Sequence, residues 1–195
     1  MSPSIYTALP RHSFHVRTLR LLPAHSPDAP IECLLHVCSF EGDRLTSEEW
    51  GPDLQNLSSD GAEYQTYEAL SYVWGDPTNP ATITVNGLPL LVTRNLKNAL
   101  QHLRTHDNMR HLWIDAICID QTNLEERAHQ VQRMLDIYQN ADRVVVWLGV
   151  IQNRLPDDTR NFNNKKFHAA LEEVLNQPWF ERMWVGHHTT SLLSG

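Results

Sequence analysis

The chain has 195 residues, enough for one domain, or for one domain with an N-terminal extension. Its 16 Lys and Arg stand against 23 Asp and Glu, a formal net charge of −7. That balance, with no basic run and no Cys/His finger spacing, argues against a general phosphate-binding surface and so against nucleic acid as a partner. Three cysteines, Cys33, Cys38 and Cys118, are too few for a disulfide-stapled secreted domain. The first twenty residues hold Pro3, Pro10, His12 and Arg17 and no apolar leader. No run approaches the roughly 18–20 apolar residues of a membrane span. A cytoplasmic protein is expected.

Residues 1–13 read as a loose lead-in. Phe14–Leu22 alternates apolar and polar residues and predicts a strand. Pro23–Pro30 is a turn-rich break, and Ile31–Phe40 is a second strand, so the two can pair as a hairpin. Glu41–Tyr64 is polar and reads as a surface loop. Tyr67–Val73 is a strand that ends at Trp74-Gly75-Asp76-Pro77. Ala81–Val85 and Leu88–Val92 flank Asn86-Gly87, a strong hairpin signal because both turn residues must take positive φ. Thr93 or Asn95 can cap a helix over Leu96–Thr105, whose Leu96, Ala99, Leu100 and Leu103 share one face.

Leu112–Ile119 is almost wholly apolar and predicts a strand buried on both faces. Thr122 followed by Glu125 has capping-box spacing. Leu124, Ala128, Val131, Leu135 and Tyr138 then mark the buried face of one helix. Arg143–Leu148 is a further buried strand, so this region reads as a strand–helix–strand unit. Gln152–Asn164 is a polar loop, Lys165–Leu175 a short amphipathic helix, and the last ten residues are unpatterned.

Two stretches resemble the heterokaryon incompatibility (HET) domain of filamentous fungi. One is Tyr67–Gly75 (YEALSYVWG). The other carries Trp113-Ile114-Asp115, Cys118-Ile119, Gln121, Glu126, Gln130, Met134, Ile137-Tyr138 and Ala141 in the family's order. The preceding strand pair is similar too, so the resemblance covers about residues 14–185. It implies an α/β, TIR-like (flavodoxin-like) sandwich with a mainly parallel sheet and an added N-terminal β-hairpin. The expected divisions are 1–13 lead-in, 14–64 hairpin and loop, 65–185 HET domain and 186–195 an aberrant tail. It also implies a role in non-self recognition and cell-death signalling, through protein partners or self-association. Some TIR domains cleave the nicotinamide–ribose bond of NAD⁺, so the resemblance offers NAD⁺ as a substrate or ligand.

The family's third motif resembles W-F-x-R-x-W-x-x-Q-E. Here it holds through Trp179, Phe180, Arg182 and Trp184, but His188 stands near the expected Glu. That Glu is the carboxylate the TIR analogy would make catalytic. Its loss predicts a non-catalytic chain, and the early end of the motif predicts that the last elements of the domain are missing.

The remaining candidates line a pocket at the strand ends. Asp115 is either a buried, paired carboxylate or a pocket carboxylate on ribose. Asp120 and Gln121 precede a helix, where they suit an anion or a sugar hydroxyl, or serve as loop caps. Ser71, Tyr72 and Trp74 end the first strand and offer a bond or a stacking surface, or simple packing. Glu126 faces the pocket or a partner, or is a first-turn carboxylate favoured by the helix dipole, and Arg182 forms a packing and cation–π cluster with Trp179 and Trp184 or, by the family resemblance, lies near the expected carboxylate. Cys118 reads as a small hydrophobe rather than a nucleophile. His102, His106, His187 and His188 lack the companions a metal site needs.

Overall fold

The computed structural model describes residues 4–10, 14–41, 44–46 and 66–150, together with 172, 173, 176 and 179. The chain divides into two compact units, Met1–Val145 and Val146–Gly195. Among the described residues no helix is long and apolar enough to cross a membrane.

The first strand, β1 (His15–Leu21), is buried from Val16 to Leu21, on both of its faces. The alternation that suggests a half-solvated strand is therefore misleading, because Arg17, Thr18 and Arg20 are interior. β1 pairs antiparallel with β2 (Glu32–Glu41), from His15↔Ser39 to Leu21↔Cys33, which is the expected hairpin. A three-residue strand, β3 (Arg44–Thr46), adds to β2 inside the segment expected to be loop; residues 47–64 of that segment lie outside the described residues.

β4 (Glu68–Tyr72) matches the first motif. β5 (Pro80–Val85) and β6 (Leu88–Thr93) form the second hairpin, with φ of 50° at Asn86 and 75° at Gly87. The Asn86 side chain accepts from the Leu35 N–H at 2.9 Å and so ties this turn to β2. A Cβ at Gly87 would meet nothing within 4 Å, so the demand there is purely conformational. Gly87→Ala should therefore lower stability by about 1–2 kcal/mol, read as a lower urea midpoint at an unchanged slope.

α1 (Arg94–Leu103) is capped by Thr93, whose hydroxyl accepts from the Leu96 N–H at 3.3 Å. It buries Leu96, Ala99, Leu100 and Leu103, as the spacing predicts. β7 (Arg110–Trp113) then ends early in the apolar run expected to be one strand. The chain turns instead into α2 (Asp115–Cys118), where the Ile117 and Cys118 N–H groups donate to the Ile114 carbonyl. A short apolar run buried on all sides has no periodicity to separate strand from helix. Ile114, Ile117, Cys118 and Ile119 are indeed all buried, but around a helical turn.

α3 (Leu124–Gln132) is capped by Asn123, not Thr122: the Asn123 Oδ1 accepts from the Glu126 N–H at 3.1 Å. Thr122 is occupied elsewhere, donating its hydroxyl to Asp120 at 2.7 Å. The single expected helix is interrupted at Arg133, and α4 (Met134–Gln139) follows. Most of its expected buried face is also turned outward, although Tyr138 does pack inward, donating its hydroxyl to the Leu70 carbonyl at 3.1 Å. Leu124, Val131 and Leu135 are 68%, 53% and 67% exposed, while Gln130 and Ile137 are buried at 2% and 0%. Two polar contacts set that rotation: Glu126 meets Arg17, and Gln130 donates to the His15 carbonyl at 2.8 Å. β8 (Arg143–Trp147) closes the order, with Val144 and Val146 exposed rather than buried.

The eight strands make one sheet in the order β6-β5-β2-β1-β7-β4-β8, with β3 on β2. β7 and β8 are thus not neighbours; β4 lies between them and runs parallel to β7 through Glu68↔Leu112 and Ala69↔Trp113. The sheet is mixed, not mainly parallel. Its two hairpins and the β1–β7 pair are antiparallel, because the N-terminal hairpin is built into the sheet beside β7. Helices cover both faces. Arg110 and Trp113 point to opposite sides of β7; Arg110 donates to the Leu103 carbonyl of α1, and Trp113 takes the Tyr138 ring of α4 edge-on at 5.6 Å.

Candidate functional site

Ligands of open α/β sheets gather beyond the carboxyl ends of parallel strands. Here β4 and β7 run parallel and adjacent, with β4 continuing past the end of β7, and a hydrogen bond joins the segments that follow them: the Trp74 Nε1–H donates to Asp115 Oδ2 at 2.9 Å. The other carboxylate oxygen of Asp115 accepts its neighbour's N–H, from Ala116, at 2.7 Å. Gln121 reaches back to donate to the Asp115 carbonyl at 2.9 Å. Trp74, Asp115 and Gln121 are therefore brought together. Asp115 is not in a strand core, as the sequence suggests, but opens α2, half-buried, beside an indole that is 41% exposed.

The bend after Trp74 is shaped by Gly75, which has φ +82° and lies so close that a Cβ would sit 3.1 Å from the Asn95 Cβ. Asn95 in turn donates to the Val73 carbonyl at 2.6 Å, so α1 holds the loop that presents Trp74. Ser71 and Tyr72 do not share a pocket. Adjacent strand residues point to opposite faces, and Tyr72 is buried while Ser71 is half-buried. Asp120 serves as a turn cap, accepting from the N–H and hydroxyl of Thr122 at 3.0 and 2.7 Å.

Glu126 is drawn inward. Its Oε1 accepts from Arg17 Nη1 at 2.6 Å and from the Asp120 N–H at 2.8 Å, and its Oε2 accepts from Arg17 Nη2 at 3.1 Å. The side chains of Arg17 and Glu126 are 2% and 8% exposed. Arg17 also donates to the Cys118 carbonyl at 3.2 Å and the Thr7 carbonyl at 2.5 Å, with the Tyr6 ring 5.0 Å from its guanidinium carbon. Tyr6 is pushed up to about 12, chiefly by burial and then by Cys118 and Asp120. This hub binds the lead-in, β1, α2 and α3 together, and it fixes the Ile119–Asn123 loop that carries Gln121. Arg17 is absent from the sequence candidates because alternation assigns it to a solvent face.

Beside the hub lies a cleft of about 280 Å³ between Ala8–Pro10 and α3, reached by His15, Glu125, Glu126 and His129. Cys118 behaves as expected of a buried hydrophobe: it is 1% exposed, accepts from the Ile114 N–H at 3.3 Å, and burial pushes its thiol up to about 12. Among the described residues no three His, Cys, Asp or Glu side chains converge as metal ligands. Arg182 and His188 lie outside the described residues.

A family model described as Heterokaryon incompatibility protein (HET) matches residues 67–164. Heterokaryon incompatibility protein 6, OR allele, of Neurospora crassa is 45% identical over 198 residues, covering 93% of this chain. The chain spans about a quarter of that relative's length (24%). No solved structure matches the chain. The family match begins at β4 and contains Trp74, Asp115, Gln121 and Glu126, whereas the Arg17 side of the hub precedes it.

Proposed function

The chain belongs to the heterokaryon incompatibility (HET) family, and from that premise we propose that it is a non-catalytic interaction module in fungal non-self recognition and cell-death signalling, working in the cytoplasm. The observation that carries this reading is the outward stripe on α3 and α4. Leu124, Val131 and Leu135 are large apolar side chains more than half exposed, with exposed Ala128 between them. Large apolar groups held together at a surface mark contact sites. Residues 124, 128, 131 and 135 follow one another at intervals of four, three and four, which places them along one side of α3 and α4. A twofold contact sets the same patch of one copy against that of the other, so a single apolar stripe can serve both partners. Self-association through this stripe is the expected mode.

Leu124→Glu together with Leu135→Glu should leave the fold intact and shift the chain to monomer in analytical ultracentrifugation. Should both chains sediment as monomers, self-association through this stripe is refuted. The order β7-β4-β8, second strand–first strand–third strand, supports a TIR-like reading of this part of the sheet, since flavodoxin-like sheets begin that way.

A second reading rests on Trp74 and Asp115. An exposed indole beside a carboxylate, at the ends of parallel strands, suits a ligand with an aromatic ring and a ribose, such as NAD⁺. A carboxylate there would stabilise the positive charge that develops on ribose as the nicotinamide bond breaks. With His188 where the third motif carries Glu, the purified chain should release no free nicotinamide from NAD⁺. Turnover that disappears in Asp115→Asn would replace the non-catalytic reading with this one.

A further inference from the structure

The sheet face that carries Trp113 also holds a buried cation with unsatisfied donors. Arg20, next to last in β1, is 7% exposed, and its Nε and Nη2 reach no acceptor among the described residues. A guanidinium keeps its charge in a protein and has only donors to offer. Burying it without a full set of acceptors or a counter-charge is strongly unfavourable. Besides burial, the neighbour among the described residues that bears on its charge is the Cys38 thiol.

The register shows which groups stand beside it. Arg20 is directly opposite His111 of β7. On the other side, His36 of β2 is opposite Thr18, two residues from Arg20 and on the same face. Opposed side chains of paired strands are within about 5 Å at their Cβ atoms. Three strands thus bring one cationic and two cationisable groups together. His111 is pulled down to about 4, by burial first and then by Arg20 and His36, as befits groups that repel. The buried Trp113 N–H, two residues along β7 on the same face, is another donor without an acceptor. Both imidazoles are half-buried, so the cluster reaches the surface.

We propose that Arg20, His36 and His111 form a binding site for a phosphate-class oxyanion. Such a ligand supplies only acceptors and negative charge, the two things Arg20 is short of. Donors arriving from β1, β2 and β7 suit the several oxygens of a tetrahedral oxyanion better than the two of a carboxylate. The site lies toward the amino end of β7, away from Asp115, and does not depend on the function proposed above.

The test uses the full chain and inorganic phosphate, against chloride at equal ionic strength. Phosphate should bind saturably by calorimetric titration and raise Tm with concentration. Arg20→Met should weaken binding about tenfold or more, the loss expected when charge-assisted hydrogen bonds are removed. The double variant H36Q/H111Q, altered at half-buried positions, should weaken it as well and covers the case in which Arg20→Met does not fold. Phosphate should also move the imidazole resonances that vanish in that double variant. Absence of saturable binding, or binding equal in the parent and in whichever variants fold, overturns the site. Acetate binding as tightly as phosphate overturns the assignment to a tetrahedral, phosphate-class oxyanion.

Discussion

Arg17→Met should lower the unfolding free energy by about 3–5 kcal/mol, the range for removing one partner of a buried ion pair. The change strands the Glu126 carboxylate, 8% exposed, against the Asp120 N–H. It also leaves the Cys118 and Thr7 carbonyls without the Arg17 donors. Adding Glu126→Leu should recover much of the loss, because a buried pair replaced by apolar side chains of similar volume is often close to neutral. The double-mutant cycle, read by urea unfolding, isolates the coupling. The effect should also be visible at the candidate site. The Ile119–Asn123 loop is held to β1 through Glu126, and Gln121 in that loop holds Asp115, which holds Trp74. Loosening the hub should shift Trp74 fluorescence under native conditions, a shift that Trp74→Phe abolishes. A parent-like unfolding midpoint in Arg17→Met would show that the hub does not carry the stability assigned to it.

That hub marks the boundary of what the sequence discloses. The β1–β2 and β5–β6 hairpins are legible because their determinants are local: a turn-rich break in one, and in the other Asn86 and Gly87, whose positive φ no other short pair supplies as readily. The α1 cap and face are legible for the same reason. Failures come where distant partners decide. Arg17 and Glu126 are 109 residues apart, and their meeting rotates α3 so that the apolar spacing at Leu124, Val131 and Leu135 points outward. The β7–α2 boundary fails because nearly all of Leu112–Ile119 is buried, which erases periodicity. Of the site, Trp74 is recognisable as a strand-end residue, whereas the apolar run places Asp115 inside a strand; their hydrogen bond depends on β4 and β7 lying parallel and adjacent, a fact of topology.

His111 provides an expected pH dependence whose sign is set by its surroundings. Its ordinary value of 6.5 is lowered to about 4 in the folded chain, by burial first and then by Arg20 and His36. The unfolded chain therefore takes up a proton more readily than the folded one. Stability from this group is complete above about pH 6.5, falls as the pH drops toward 4, and is flat below. Discounted for partial exposure, the loss is about 2 kcal/mol. Glu68 is separable from it. Burial opposes ionisation there, but hydrogen bonds from Arg143 and Arg110 prevail and hold the carboxyl below its ordinary 4.5, so its contribution is lost at lower pH. Urea midpoints of the parent should decline from pH 6.5 to 4, and those of His111→Gln should decline less over that window. An identical decline in both would remove His111 as the cause. Phosphate sharpens the comparison. An oxyanion bound against Arg20 and His111 offsets the repulsion that adds to burial in keeping the imidazole neutral, so the parent's decline should be shallower in phosphate than in chloride of equal ionic strength.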